Sequence, residues 1–148
     1  MGVLEKLDGI GIHSIEQPVQ PGQWELMRSL CEDNDVPIAL DEELIGIHLI
    51  EDKIEVLESI RPGYIILKPS LHGGLVGTLE WISLAKEMDI GWWITSALES
   101  SIGLEIIARM AGFLNPKIPQ GLGTGGLFEN NFESPLVIEN GTLKYKNV

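Results

Sequence analysis

The sequence predicts an α/β protein built on a parallel β-sheet. Short apolar runs alternate with amphipathic segments along the 148 residues, and apolar side chains that recur every three or four residues are typical of helices. The runs themselves are almost continuously apolar, as expected for parallel strands covered on both faces. Glu16, Asp41, Lys68 and Ser96 stand at the ends of successive runs, at intervals of 25, 27 and 28 residues. That interval fits one strand and one helix.

The apolar runs predict five strands, and the stripes between them predict four helices. The strands are expected at 12–19, 36–43, 64–69, 91–100 and 117–125. The helical stripes begin at Trp24, Ile54, Leu75 and Ile106.

The fourth helix, predicted over 101–114, has recognisable ends. Ser100 or Ser101 is placed to accept a hydrogen bond from the first turn, and such a serine is a preferred amino-terminal cap. Asn115 and Pro116 follow the last apolar residue, and proline cannot continue a helix.

Polar residues at the strand ends decide the architecture. A charged or hydroxyl residue follows the apolar part of the segments SIEQP, ALDEE, ILKPS and TSALES. In a (β/α)₈ barrel these ends converge on one site, whereas a doubly wound sheet concentrates polar groups at one switch point. A complete barrel takes about 250 residues, so the sequence predicts a partial (β/α)₈ TIM barrel of about five C-terminal βα units.

The chain divides into two predicted parts. Residues 1–128 form the partial barrel, and residues 129–148 form a tail outside the βα rhythm. Asn140-Gly141 lies between two β-prone runs in that tail, which predicts a hairpin. We expect this tail to join a capping domain.

Composition excludes several classes of partner. The net charge of −12 opposes binding to nucleic acid and to anionic membrane surfaces. No apolar run reaches the length of a membrane span, and the single cysteine, Cys31, cannot form an internal disulfide. We therefore expect a cytoplasmic protein that binds a small molecule or a metal.

Glu16, Asp41 and Lys68 are the strongest candidate site. They end three successive predicted strands, so neighbouring strands would bring two carboxylates and one ammonium together. Two close carboxylates repel unless a proton or a metal lies between them, and hard oxygen ligands suit Mg²⁺, with Mn²⁺ as an alternative. A divalent cation beside a lysine suits removal of a proton α to a carboxylate. The other interpretation is a structural ion pair.

Two further motifs are weaker. GLGTGG at 121–126 matches G-x-G-x-x-G, but no helix signal follows it, so we expect its backbone N–H groups to face an anionic substrate instead of a dinucleotide. His72 is expected to be a solvent-exposed loop residue.

The segments SIEQP, IALDEELIG, YIILKPSLHGG, GWWITSALESSIGL and PQGLGTG together resemble the C-terminal half of the o-succinylbenzoate synthase family, within the enolase superfamily. The resemblance covers about residues 5–145. It implies strands 4 to 8 of the family's barrel within residues 1–128. It also implies a lyase of menaquinone biosynthesis that dehydrates 2-succinyl-6-hydroxy-2,4-cyclohexadiene-1-carboxylate to o-succinylbenzoate.

The resemblance assigns roles to individual residues. Glu16 and Asp41 match the second and third Mg²⁺ ligands, and Lys68 matches the lysine of the sixth strand that faces the reacting carbon. The substrate's succinyl and carboxylate groups are expected in the loops that contain Ser96, Leu98, Gly121 and Gly123.

The sequence also departs from the family pattern. No Lys-x-Lys precedes Glu16, and the first Asp ligand has no counterpart. We therefore expect a truncated chain, inactive alone, that self-associates or binds a complementary N-terminal half. The alternatives are another racemase, epimerase or cycloisomerase of the superfamily, and a non-catalytic partial barrel that serves as an assembly partner.

Overall fold

A computed structural model describes residues 10–123 and 128–146. Four strands form one parallel sheet: β1 (Ile15–Glu16), β2 (Ile38–Leu40), β3 (Tyr64–Leu67) and β4 (Gly91–Ile94). Four α-helices alternate with them: α1 (Trp24–Asp33), α2 (Ile50–Ile60), α3 (Gly74–Glu87) and α4 (Ser101–Leu114). A short 3₁₀ helix, Glu42–Leu44, follows β2. The predicted α/β class and the four helices are confirmed.

The strands are adjacent in chain order, β1-β2-β3-β4, and all pairs are parallel. A doubly wound sheet reverses its order at a switch point, and the described sheet does not. Right-handed crossovers between strands in this order place the helices on one face. The order is that of a sector of a barrel.

The predicted fifth strand is reduced to one bridge. Thr95, next to β4, pairs in parallel with Gly121, and the described residues around Gly121 do not extend into a regular strand. Gln120 contributes to this end, because its side-chain Oε1 accepts a hydrogen bond from the Ile94 N–H at 2.7 Å. A side chain thus replaces part of the strand ladder. The other strands are also shorter than their apolar runs, because the run ends turn into loops.

One face of the sheet packs against the helices. Ile38, Leu40, Ile65, Leu67 and Ile94 join the main apolar cluster, and each is 1% exposed or less. Since alternate residues of a strand point to opposite faces, their neighbours point away from the helices. Glu16, Asp41 and Lys68, which follow Ile15, Leu40 and Leu67, therefore lie on the face opposite the core.

The two adjacent tryptophans divide between these faces. Trp92 packs against the helix-side cluster, with the Lys86 ammonium 5.9 Å from its ring centroid. Trp93 lies 5.7 Å from the Tyr64 ring and 5.8 Å from the His13 ring, centroid to centroid, on the other face. The pair thus follows the alternation of neighbouring residues along a strand.

The carboxyl-terminal hairpin is also confirmed. Strands β5 (Leu136–Glu139) and β6 (Thr142–Tyr145) pair antiparallel, and a two-residue loop joins them. Asn140 and Gly141 have φ values of 51° and 72°, as a type I′ turn requires. The hairpin contacts α4, where the Arg109 guanidinium lies 5.5 Å from the Tyr145 ring centroid.

Helix α4 has the predicted ends. The Ser100 side chain accepts a hydrogen bond from the Gly103 N–H at 3.3 Å, and Asn115 ends the helix with a φ of 46°. Among the described residues, no helix is long and apolar enough to cross a membrane.

Two helical glycines make a matched test of packing. A Cβ on Gly77, in α3, would lie 2.1 Å from the His72 carbonyl oxygen, whereas a Cβ on Gly112, in α4, would meet nothing within 4 Å. We expect Gly77→Ala to destabilise the fold by about 1–3 kcal/mol, because backbone must move. Urea unfolding followed by circular dichroism measures the change.

Gly112→Ala is the control for this substitution. Its expected effect is opposite, a stabilisation of about 0.5–1 kcal/mol, because alanine restricts the unfolded chain and fits an exposed helix position. Equal effects of the two substitutions on the free energy of unfolding would contradict the packing described for Gly77.

Candidate metal and proton-transfer site

The candidate site is built at the carboxyl ends of three neighbouring strands. Glu16 is the last residue of β1 and is exposed. Asp41 directly follows β2, and Lys68 directly follows β3. The β1–β2 register sets Glu16 opposite Ala39, two residues before Asp41. The sheet therefore brings the three predicted residues to one edge.

Asp41 and Lys68 form an ion pair across this edge. The Lys68 Nζ donates to Asp41 Oδ2, and the two side chains are 19% and 9% exposed, respectively. A half-buried pair of this kind is weakly screened, and its geometry fixes the lysine head group. The ammonium is thereby held over the face of the sheet that is opposite the helices.

The second carboxylate oxygen of Asp41 remains available. Asp41 Oδ1 is buried and accepts no hydrogen bond from the described residues. A buried anionic oxygen without a donor is costly. A cation at Oδ1 would offset that cost, and carboxylate oxygens are ligands that Mg²⁺ prefers.

The fit to a metal is therefore good in donor type and incomplete in number. Glu16 and Asp41 supply hard oxygen atoms from adjacent strands. No group of three or more His, Cys, Asp or Glu side chains that could hold an ion exists within the described ranges. Glu16 and Asp41 are therefore two candidate oxygen donors.

The predicted substrate residues fall into two pairs. Ser96 and Gly121 meet at the end of β4, where the Ser96 N–H donates to the Gly121 carbonyl at 2.9 Å and the Ser96 Oγ lies 3.3 Å from the same oxygen. Leu98 is 72% exposed, and Gly123 is exposed. Within the described ranges, neither of these two hydrogen-bonds to Asp41 or Lys68. The structure joins Ser96 to Gly121 and leaves Leu98 and Gly123 on the surface.

A cavity of about 500 Å³ adjoins the candidate site. Its walls include Ser14 and Glu16 from the β1 edge, Trp93 from β4, and Gln120 and Gly121 beyond the last bridge. It thus lies between the two edges of the described sheet. Two predicted residues line it, the candidate metal ligand Glu16 and the candidate substrate residue Gly121.

His72 was expected to be exposed, and that expectation is wrong. His72 is fully buried, with 0% of its surface exposed, and its Nδ1 accepts a hydrogen bond from the Lys68 N–H at 3.0 Å. The loop closes tightly on the end of β3, since the Lys68 carbonyl accepts from the N–H groups of Leu71 and His72 at 2.8 and 3.1 Å. Sequence spacing gave no sign of this, because the four-residue separation only becomes a contact once the loop turns back.

Burial keeps the His72 imidazole neutral. Desolvation, then the positive charges of Lys68 and Lys53, lower the pKa of His72 from its ordinary 6.5 to about 4. A neutral ring is what an Nδ1 acceptor requires. The imidazole therefore acts as a hydrogen-bond acceptor for the backbone of the candidate lysine.

Two more residues of the site carried no distinctive sequence signal. Gln17 follows Glu16, and Glu43 lies two residues after Asp41 with only 6% of its surface exposed. The Gln17 Nε2 donates to Glu43 Oε2 at 3.2 Å. Nothing in the sequence distinguishes Glu43 from its exposed neighbour Glu42, so a buried role for one of them could not be predicted.

The class of protein follows from this fold and from comparison with known proteins. The chain belongs to the Enolase C-terminal domain-like family, whose model matches residues 1–147. Its fold is the barrel-like α/β fold of the enolase superfamily's C-terminal region.

A particular group of relatives stands out within that family. The chain is 51% identical over 140 residues to o-succinylbenzoate synthase from Desulfotalea psychrophila, covering 95% of this chain and 38% of the relative. It matches the crystal structure of MenC from the same organism with a TM-score of 0.90 and 51% identity, over 95% of this chain and 39% of that one. The chain thus spans little more than a third of these relatives.

More distant solved structures share the fold. The dipeptide epimerase from Cytophaga hutchinsonii, complexed with Mg and the dipeptide D-Ala-L-Val, matches with a TM-score of 0.78 and 22% identity, over 95% of this chain and 38% of that one. The fold is therefore shared with a protein whose structure holds Mg.

The buried His72 predicts a pH-dependent stability. Between pH 4 and 6.5 the unfolded chain binds a proton on His72 that the folded chain does not, given the folded pKa of about 4. Stability is therefore full above pH 6.5 and falls as the pH is lowered through this window, by on the order of 3 kcal/mol. His72→Asn keeps an acceptor near the Nδ1 position and cannot titrate.

The measurement is the free energy of unfolding of both proteins in urea at several pH values. The stability difference between the wild type and His72→Asn should change across pH 4–6.5, with the wild type losing more as the pH falls. His13→Asn, at an exposed histidine that does not contribute to the lowered pKa of His72, controls for the general loss of an imidazole. A wild-type-minus-His72→Asn difference that stays constant with pH would show that the His72 ring is not held neutral.

Proposed function

We propose that this chain supplies part of the active site of an o-succinylbenzoate synthase-type lyase. The observation that carries the proposal is the Asp41–Lys68 ion pair, in which a buried Asp41 Oδ1 accepts no hydrogen bond from the described residues. This arrangement leaves one carboxylate oxygen available to a metal cation and fixes an ammonium beside it. The similarity to o-succinylbenzoate synthase over 95% of the chain supports the choice of reaction.

Glu16 and Asp41 are proposed to hold Mg²⁺, or Mn²⁺ in its place. A bound divalent cation would stabilise the negative charge that develops on the substrate carboxylate when the adjacent carbon loses its proton. The two residues leave room in the shell for the substrate and for water, as is usual for Mg²⁺ in proteins.

Lys68 is proposed to act on the same reacting carbon. Its ammonium is oriented by Asp41 Oδ2, so it can stabilise developing negative charge without first reorganising. The family resemblance assigns proton transfer to a Lys-x-Lys pair opposite this lysine. Loss of the proton and of hydroxide converts the cyclohexadiene ring to the aromatic ring of o-succinylbenzoate, a step of menaquinone biosynthesis.

The substrate is proposed to lie between the candidate metal residues and the loops after β4. Ser96 and Gly121 form the base of these loops, and Leu98 and Gly123 lie further out. The apolar Leu98 side chain, 72% exposed, would be covered by the succinyl chain. The exposed Gly123 backbone would face a carboxylate.

The described residues supply two oxygen ligands and one lysine. The resemblance places a third ligand and the Lys-x-Lys pair in the portion of the relatives that the chain does not cover. We therefore propose that the 148 residues are a partial barrel whose turnover requires those additional groups. The tail 129–148 would then meet the capping domain.

A chimera tests this function. Residues 1–147 replace the matching segment of the Desulfotalea psychrophila relative, which supplies the remaining groups. We expect the chimera to convert the cyclohexadiene carboxylate to o-succinylbenzoate, measured by product absorbance. Lys68→Ala should lower kcat/KM about 10²–10⁴-fold, because the fixed ammonium is lost.

Lys86→Ala is the matched control, since Lys86 lies at the carboxyl end of α3 on the helix side of the sheet. It removes the same charge and should leave kcat/KM unchanged. Normal turnover by the Lys68→Ala chimera would refute the role of Lys68. A folded chimera that is inactive on the diene acid and active on dipeptides would instead identify an epimerase.

A further inference from the structure

We propose that Gln17 is a positioning residue that, with Glu43, sets the placement of the two candidate metal ligands. The inference rests on the proposed cation site of Glu16 and Asp41. It assigns no new chemistry to Gln17, whose side chain hydrogen-bonds to the backbone of Asp41 and not to its carboxylate oxygens. It concerns how the edge of the sheet holds two carboxylates that belong to different strands.

Gln17 is joined to the segment after β2 through both ends of its side chain. Its Oε1 accepts hydrogen bonds from the backbone N–H groups of Asp41 at 3.0 Å and Glu43 at 3.3 Å. Its Nε2 donates to the Val19 carbonyl at 3.0 Å and to Glu43 Oε2 at 3.2 Å. Both acceptor positions and both donors of the amide are used.

The backbone of Gln17 is held in an uncommon conformation. Its φ is 34°, and the next residue is proline, which disfavours helical conformations for the residue before it. Strained backbone of this kind persists where surrounding contacts fix it. The N–H of Gln17 donates to the Ala39 carbonyl at 2.9 Å. The strained residue therefore makes the hydrogen bond to β2 that directly follows Glu16.

Glu43 is anchored independently of Gln17. Its Oε1 accepts from the Gly22 N–H at 2.8 Å and from the Trp24 indole N–H at 2.7 Å, while Oε2 accepts from Gln17. A carboxylate that is only 6% exposed is thereby fully provided with donors. Glu43 is a fixed point against which the Gln17 amide is oriented.

These contacts connect the two ligands through short paths. Glu16 is covalently attached to Gln17, and the Asp41 N–H is bound by the Gln17 side chain. Asp41 has an irregular backbone, with φ −126° and ψ −86°. Its carbonyl accepts from the Leu44 N–H at 3.1 Å, but neither a strand ladder nor a helix restrains its own N–H. The Gln17 Oε1 bond supplies that restraint, and residues that orient metal ligands commonly affect metal affinity about 10–100-fold.

A reciprocal exchange tests the assignment. Gln17→Leu removes every polar contact of the side chain, and Gln17→Glu places a carboxylate against Glu43. The double variant Gln17→Glu with Glu43→Gln restores the contact with donor and acceptor exchanged. The amide oxygen at position 43 can still accept from the Gly22 N–H and the Trp24 indole N–H, and its NH₂ group can donate to the carboxylate at position 17. The contact to the Val19 carbonyl alone is lost.

Mn²⁺ binding is measured by water proton relaxation in the 148-residue chain and, in parallel, in the chimera. We expect Gln17→Leu and Gln17→Glu to weaken Mn²⁺ binding about 10–100-fold, and the double variant to recover to within about threefold of the wild type. Hydrogen exchange of the Asp41 amide, without metal, should accelerate in Gln17→Leu and be restored in the double variant. The free energy of unfolding of each variant in urea separates a general loss of stability from a change in Mn²⁺ affinity.

Two results would overturn the inference, and they are distinguishable. Wild-type Mn²⁺ affinity in a folded Gln17→Leu protein would refute the positioning role and leave the cation site intact. No Mn²⁺ binding by the wild type in either the chain or the chimera would refute the proposed cation site, and the positioning role with it.

Discussion

The alternation of side chains along β2 and β3 is the constraint on which the rest of the structure depends. Leu40 and Leu67 are fully buried against the helices, so the residues that follow them, Asp41 and Lys68, must point to the other face. A slip of one residue in either strand would bury a charge in the apolar cluster and expose a leucine. Packing on one face thereby fixes the polar pair on the other.

The same constraint explains why much of the site could be predicted. Glu16, Asp41 and Lys68 each end a strand, and parallel neighbouring strands bring their carboxyl ends to one edge. The helices could be predicted equally well, because their apolar stripes and the serine cap of α4 are local features. The hairpin followed from Asn140-Gly141, whose positive φ values are a local requirement of the turn.

The remainder depended on contacts between distant parts of the chain. Gln17 and Glu43 are 26 residues apart, and their interaction needs the β1–β2 register before it exists. The burial of His72 needs α3 to begin where it does, with the backbone of Gly77 against the His72 carbonyl. The predicted length of the fifth strand was too great. The Gln120 side-chain amide accepts the hydrogen bond that a strand backbone would otherwise accept, and residue composition does not reveal this replacement.

Asp41 and Glu43 show how one segment holds a structural carboxylate beside a candidate metal-binding one. Both residues are 6% exposed, so both need compensation for lost hydration. Glu43 receives it from an amide, a backbone N–H and an indole, which leaves it fixed and electrostatically satisfied. Asp41 receives only the Lys68 ammonium at Oδ2, and its Oδ1 has no donor within the described residues.

This difference in hydrogen bonding favours Asp41 over Glu43 as a metal ligand. A fully satisfied carboxylate gains little from a metal, because binding would require donors to be displaced first. Asp41, whose Oδ1 accepts no hydrogen bond from the described residues, would gain a partner without losing one. The rigidly held Glu43 limits how far Asp41 can move. Two acidic residues separated by one position thus have unlike surroundings, and Gln17, which binds the backbone N–H of both, connects the fully hydrogen-bonded one to the proposed metal ligand.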